Sequence, residues 1–112
     1  MKIFLDTNIL VDLLADRPPF TQEAIKLVEV AIEKNLDLYT STHVLATVHY
    51  LLKKYVSDKE LRQTILELTE MIRLIDVSFF VLKKALESTH RDFEDGLQIS
   101  SAESIPQMDY IF

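Results

Sequence analysis

The chain has 112 residues, of which 48% are hydrophobic, and a formal net charge of −6, so one domain with a substantial apolar core is expected. The negative charge argues against a general basic surface for nucleic acid, but it is compatible with carboxylates that bind a cation. The absence of cysteine excludes disulfides and thiolate chemistry. No apolar run approaches the roughly 18 residues of a membrane span, and Lys2 precedes only three apolar residues. We therefore expect no membrane segment, no secretory signal and a cytoplasmic location.

Strands and helices are predicted to alternate along the chain, which is typical of an α/β fold with a parallel sheet. The predicted strands are 2–5, 36–40, 74–77 and about 108–112. The predicted helices are approximately 9–15, 21–35, 43–55, 58–72, 78–86 and 91–103.

Local signals mark several of these boundaries. Asp16-Arg17-Pro18-Pro19 should end the first helix, Ser41 or Thr42 should cap the third, and Ser57-Asp58-Lys59-Glu60 has the form of a capping box. The single glycine, Gly96, excludes a glycine-rich phosphate loop.

The first candidate functional residues are Asp6-Thr7-Asn8, directly after the buried strand Ile3-Phe4-Leu5. Ligands bind at the carboxyl ends of the strands in open α/β sheets. Because Thr7 or Asn8 could cap the following helix, Asp6 would be available as a metal ligand.

A second acidic cluster, Asp92 with Asp95, lies at the start of the last predicted helix, with both residues on one side of it. Favourable charge against the helix dipole would explain both acids. The alternative is that Asp95 joins Asp6 on Mg²⁺ or Mn²⁺, which prefer oxygen ligands. Glu94 is expected to point elsewhere, towards solvent.

Other catalytic classes receive little support. His43, His49 and His90 form no pair four residues apart, which argues against a zinc hydrolase, and no serine lies in a nucleophile elbow. An aspartyl-phosphate enzyme with Asp6 as nucleophile would typically need a second aspartate where Asn8 stands.

The sequence resembles the PIN domain family, most closely its VapC-like bacterial branch. The resemblance rests on Asp6-Thr7-Asn8 before an apolar helix, Asp16-Arg17-Pro18-Pro19-Phe20, the segment 41–50, and Asp92-Phe93-Glu94-Asp95 followed by Gly96-Leu97-Gln98. It covers essentially the whole chain. It implies a single three-layer, Rossmann-like α/β domain over residues 1–112, with a central parallel sheet of about four strands flanked by helices.

The same resemblance implies a ribonuclease that cleaves single-stranded or structured RNA with Mg²⁺ or Mn²⁺, many relatives being toxins restrained by an antitoxin protein. The family's first acid falls on Asp6 and its third on Asp95, with Asp92 as an accessory catalytic acid. Asn8 and Thr7 match polar residues that orient the site.

Two departures from the family pattern bear on activity. The family's second acid, a glutamate, falls near Thr47, which cannot be an anionic ligand. The sequence also stops after Tyr110-Ile111-Phe112, where relatives continue with a Thr-Arg-Asn or Thr-Arg-Asp segment and another strand. A domain without that strand would expose a sheet edge, so we expect self-association into a homo-oligomer.

These departures leave a second function open, a catalytically weak or inactive PIN-like module that binds other proteins. Cleavage of single-stranded RNA would distinguish the nuclease from that module.

Overall fold

The computed structural model describes residues 1–15 and 20–112, apart from the side chains of residues 20 and 21. The predicted break at Asp16-Arg17-Pro18-Pro19 lies outside the described residues. The strands are β1 (Lys2–Phe4), β2 (Asp37–Ser41), β3 (Arg73–Ile75) and β4 (Tyr110–Ile111). The helices within the described part are α1 (Thr7–Leu14), α2 (Phe20–Glu33), α3 (Thr42–Leu52), α4 (Asp58–Leu68), α5 (Phe79–Glu87) and α6 (Phe93–Glu103).

The four strands form one parallel sheet in the order β3-β2-β1-β4. Ile3 of β1 pairs with Leu38 on one side and with Tyr110 on the other. Because β1 is central and all the strands run the same way, the residue that follows it emerges in the middle of the carboxyl edge of the sheet.

Most of the buried apolar side chains in the described part of the chain form two clusters. The larger one surrounds the sheet and includes the fully buried Phe4, Leu5 and Leu10 with Val44 and Val48 of α3. The smaller one joins α5 to α6 through residues Val81, Ala85 and Leu97. Ala102, near the end of α6, belongs to the larger cluster, so α6 contacts both.

Side-chain caps explain where most helices begin. The hydroxyls of Ser41, Ser57 and Ser78 accept hydrogen bonds from Val44, Glu60 and Val81, respectively. Ser41, not Thr42, is thus the cap of α3, and α4 begins directly after the predicted capping residue.

Several predicted boundaries differ from those observed. Helix α2 begins at Phe20, and α4 ends at Leu68, short of Ile72, although Ile72 is still buried in the turn beyond the helix. Apolar periodicity indicates burial and does not require the helix to continue. Strand β3 begins at Arg73, and β4 is confined to two residues.

Gly96 lies in the first half of α6, against the segment that leads into that helix. A Cβ there would lie 3.2 Å from Ser88 Oγ and 3.3 Å from His90 Cβ, closer than most Cβ contacts. The glycine therefore permits close packing of side chains from residues 88–90 beside the acidic end of α6.

Among the described residues, no helix has both the length and the apolar character needed to cross a membrane.

Candidate metal centre

A pocket of about 340 Å³ lies where β1 ends and α1, α3 and α6 meet. Asp6, Asp92 and Asp95, the three acids that the sequence suggests, all line it, as do Thr7 and Asn8. Four more polar or aromatic residues and a leucine complete the lining: Thr47, Tyr50, Glu94, Gln98 and Leu51. The fold therefore brings together acids from opposite ends of the chain.

Asp6 is the N-cap of α1, so the expectation that Thr7 or Asn8 would cap the helix is wrong. Its Oδ1 accepts a hydrogen bond from the amide of Ile9 at 3.1 Å, and α1 begins at Thr7. The extended backbone of Asp6 continues the direction of β1, which puts the first helical turn immediately after it. Capping fixes the orientation of the carboxylate that lines the pocket.

The surroundings of Asp6 make its charged form less favourable than that of a carboxyl group in water. Burial raises the pKa of the Asp6 carboxyl above its ordinary value, and the negative charges of Asp95 and Asp12 add to the increase. The amides of Ile9 and Asn8 act in the opposite direction. A cation between Asp6 and Asp95 would remove this repulsion.

Asp92 and Asp95 have different positions at the start of α6. Asp92 precedes the helix as its N-cap, and its Oδ1 accepts a hydrogen bond from the Asp95 amide at 3.1 Å. Asp95 lies in the first turn, where a negative charge is favourable to the helix dipole. Asp92 therefore holds the backbone that carries Asp95, in addition to lining the pocket itself.

Glu94 is exposed to solvent, as expected from the sequence, but it does not point away from the site. It lines the pocket, and its Oε1 lies 3.7 Å from Nε2 of His43 on α3. This approach depends on the packing of α6 beside α3, which the spacing within α6 does not reveal.

Gln98 is a site residue that the sequence reasoning missed. Its Nε2 donates a hydrogen bond of 3.4 Å to Thr7 Oγ1, and both side chains are buried. The bond joins the start of α1 to α6. Gln98 lies one turn after Asp95 on the same side of the helix, so its spacing was a usable signal.

Thr47 lines the pocket from α3, at the position to which the family resemblance assigns a second acid. Its hydroxyl donates a hydrogen bond of 3.1 Å to the backbone carbonyl of His43. The residue therefore contributes a neutral oxygen in place of a carboxylate.

The donor set fits a hard divalent cation with few protein ligands. Carboxylates, hydroxyls and amides provide oxygen atoms of the kind that Mg²⁺ and Mn²⁺ prefer. In the part of the chain that is described, however, no three His, Asp or Glu side chains are grouped closely enough to hold an ion together. One or two carboxylates, completed by water and a substrate phosphate, are an ordinary way to bind Mg²⁺.

The fold and this acidic pocket define an α/β protein with carboxylates gathered at the carboxyl edge of a parallel sheet. The PIN domain family profile matches residues 2–111, so the chain belongs to the PIN domain family. This membership confirms the resemblance drawn from the sequence and the predicted α/β fold with a central parallel sheet.

Individual relatives point to the same branch. The chain is 28% identical over 102 residues to Ribonuclease VapC1 of Aquifex aeolicus, an alignment that covers 87% of this chain and 70% of that protein. Its structure is similar to that of Mycobacterium tuberculosis VapC20, a Sarcin-Ricin loop cleaving toxin, with a TM-score of 0.70 and 19% identity over 91% of this chain and 82% of the other. It also resembles VapBC2 from Rickettsia felis, determined with a promoter DNA fragment, with a TM-score of 0.62 and 18% identity over 100% and 99% of the two chains.

Proposed function

We propose that this chain, as a single PIN-like domain over residues 1–112, is a Mg²⁺- or Mn²⁺-dependent ribonuclease that hydrolyses RNA phosphodiesters in the cytoplasm. The observation that carries the proposal is the convergence of Asp6, from the end of β1, and Asp95, from the first turn of α6, on one pocket. Family membership and the ribonuclease among its relatives support the choice of reaction and substrate.

Asp6 and Asp95 are the residues that would hold the metal. The chemistry that such an ion supplies when bound is activation of water and neutralisation of phosphate charge. Because the described residues hold no close group of three or more His, Asp or Glu side chains, metal affinity should be modest and should improve when a substrate phosphate is present.

The remaining pocket residues are assigned supporting roles. Asp92 fixes the backbone of Asp95 through its cap and offers further negative charge to the site. Thr7, through its hydrogen bond with Gln98, holds α1, which follows Asp6, against α6, which carries Asp95. The amide of Asn8, exposed at the pocket, is assigned to orienting substrate or water.

The test is cleavage of a mixed single-stranded RNA pool by the wild type and by Asp6→Asn, each in Mn²⁺ and in EDTA. Cleavage that requires both Mn²⁺ and Asp6 is expected. Activity that persists in EDTA, or equal activity in the variant, would contradict the proposal. A parallel measurement of Mn²⁺ binding should show its loss in Asp6→Ala, because this variant lacks one of the two assigned ligands.

We further propose that the protein is the toxin of a toxin–antitoxin pair. Beside the carboxylates, α1 and α3 border a groove of about 650 Å³, lined by apolar side chains such as Val11, Leu51 and Tyr55. Asn8 and Leu51 line both the groove and the acidic pocket, so an antitoxin segment seated there would lie next to the site. The test is co-expression with the protein encoded next to this one. If that protein is the antitoxin, it should inhibit cleavage by the wild type, and Leu51→Glu should relieve the inhibition.

The second candidate function is a protein-interaction module without catalysis. Thr47 at the position of an acid, together with the small number of grouped carboxylates, favours it. Such a module would bind a partner in the groove but would leave RNA intact in Mn²⁺.

Self-association is also part of the proposal. Among the described strands β4 pairs only with β1, and Tyr110 and Ile111 are exposed. A second copy could pair with this edge. Sedimentation should show concentration-dependent dimers, and a clean monomer at high concentration would refute this association.

A further inference from the structure

We propose that Tyr50 is the binding platform for an unpaired base of the RNA substrate, next to the phosphate that is cleaved. The inference rests on the proposed nuclease function and deepens it by specifying the substrate as a nucleotide outside a duplex. It depends on the position of Tyr50, on its exposure and on its contact with Lys53.

Tyr50 is part of the pocket wall but is not held in the core. It lines the same pocket as Asp6 and Asp95, yet 61% of the residue is exposed. Its neighbours on α3, Val48 and Leu52, are buried, so the helix has its apolar support without the Tyr50 ring. A large exposed aromatic side chain at the rim of a polar pocket is a suitable surface for base stacking.

The charges around the pocket make such a platform useful. Among the described residues that line it, four are acidic and none is Lys or Arg, and the whole chain carries a net charge of −6. The RNA backbone is therefore not attracted by the protein's overall charge. Stacking does not depend on that charge, so it can supply affinity where electrostatic attraction is weak.

Lys53 provides a local positive charge at the ring. Its Nζ lies over one face of the Tyr50 ring, 4.7 Å from the ring centroid. A base stacked on the other face of the ring would lie near this ammonium, which can bind a phosphate of the same strand. Tyr50 would thus bind the base and Lys53 the adjacent backbone.

This arrangement favours single-stranded over paired RNA. In a duplex each base is stacked between its neighbours, so a protein ring cannot stack on it unless the base is extruded. Loops, bulges and single strands expose bases at lower cost, and they are the expected sites of cleavage.

The test measures binding without cleavage. Single-stranded 12-mer RNAs with 2-aminopurine at successive positions would be titrated with the full chain in EDTA, against the same sequences in a duplex. The wild type should quench the fluorescence strongly at one position of the single strand and bind the duplex much more weakly. Tyr50→Ala should lose affinity for the single strand on the order of tenfold, whereas Tyr50→Phe should retain it.

Two controls make the result specific. Phe79→Ala removes another exposed aromatic residue, on α5 and outside the pocket lining, and should bind as the wild type does. An abasic nucleotide at the quenched position should weaken binding to the wild type but not to Tyr50→Ala, because the stacking partner is already missing in the variant.

The outcomes separate this inference from the proposed function. If the wild type cleaves RNA with Mn²⁺ and Asp6, but Tyr50→Ala binds and cleaves equally well, the platform is refuted and the nuclease stands. If the wild type neither binds nor cleaves any of these RNAs, both are refuted. If Tyr50→Ala loses binding of an antitoxin but not of RNA, the residue belongs to a protein interface and the platform is again refuted.

Discussion

The buried amide of Gln98 donates a hydrogen bond of 3.4 Å to the buried hydroxyl of Thr7, across a sequence separation of 91 residues. The bond connects the helix that follows Asp6 with the helix that carries Asp95. The relative position of the two acids therefore depends on a neutral pair that would not need to touch the proposed metal ion.

Replacement of Gln98 by Leu should weaken metal binding without removing a carboxylate. The leucine leaves Thr7 without its donor, and we expect a loss of about 1 kcal/mol in the free energy of unfolding, together with lower Mn²⁺ affinity. Urea unfolding and Mn²⁺ titration would measure the two effects. In the double variant Gln98→Leu with Thr7→Val, the free energy of unfolding should partly recover. If Mn²⁺ affinity is unchanged in both the single and the double variant, this bond does not position the site.

Asp6→Asn should stabilise the metal-free protein at neutral pH and abolish its response to metal. Asparagine retains the cap of α1 while removing a half-buried charge that repels Asp95. The pKa of Asp6 is raised on folding, so its ionisation lowers the free energy of unfolding of the wild type relative to that of Asp6→Asn. This difference should be absent below the ordinary pKa of 3.8 and should grow as pH rises through the folded pKa. At a metal concentration of about 100 Kd the wild type should gain about 2.7 kcal/mol, and the variant none.

Thermal unfolding with and without Mn²⁺, over a range of pH, would measure both parts of this prediction. A variant that is still stabilised by Mn²⁺ to the wild-type extent would exclude Asp6 as a ligand.

Two substitutions of Asp92 should separate its capping role from its role in the site. Asp92→Asn keeps the hydrogen bond to the Asp95 amide, so its stability should be near that of the wild type, whereas Asp92→Ala should lose about 1 kcal/mol. If Asp92 also supports the metal, both variants should bind Mn²⁺ about tenfold more weakly. Wild-type affinity in Asp92→Asn would mean that Asp92 only caps α6.

Thr47→Glu should tighten metal binding by restoring a carboxylate on α3. Thr47 lines the pocket, and each added anionic ligand increases the affinity for a divalent ion, here by about tenfold. The matched control is Ala46→Glu, which adds the same charge to the same helix but at a residue that borders a different groove. An equal increase in Mn²⁺ affinity in both variants would indicate a general charge effect. No increase in either variant would argue against a metal between α3 and α6.

An exposed contact between α3 and α4 predicts a pH effect away from the site. Nε2 of His49 lies 2.7 Å from Oδ1 of Asp58, and hydrogen bonding to His49 is the main cause of the lowered pKa of Asp58, with Arg62 contributing. A lowered carboxyl pKa stabilises the fold above the unfolded value of 3.8, and that contribution is lost as pH falls through the folded pKa.

The difference in unfolding free energy between the wild type and Asp58→Asn should therefore shrink below pH 3.8. Urea unfolding at a series of acidic pH values would measure it. His49→Gln should reduce the same difference at higher pH, and a difference independent of pH would contradict the prediction.

Much of the fold could be predicted because its signals are local. Capping serines such as Ser57 and Ser78 precede apolar periodicity directly, and strand–helix alternation indicates parallel pairing. The end of α4 at Leu68 could not be predicted, because Ile72 continues the apolar pattern from within a turn.

The site was predictable to the level of its acids but not of their partners. Asp6 follows β1 and Asp95 opens the last helix, and these positions drew attention to both acids, although each also stabilises its own helix, Asp6 as a cap and Asp95 as a first-turn charge. In contrast, Asp6, Thr7 and Asn8 are all capable caps of α1, and only backbone geometry selects Asp6. The approach of Glu94 to His43 depends on how α6 packs beside α3, which no local pattern contains.

The two apolar clusters described above would give the proposed metal site an additional property. Asp6 is anchored to the large cluster through Leu5 and Leu10, whereas the first turn of α6 is supported by the small cluster around Leu97. An ion bound by Asp6 and Asp95 would therefore act as a cross-link between two separately packed parts of one domain. Its binding would be expected to slow amide hydrogen exchange along the α5–α6 hairpin as well as at the pocket itself.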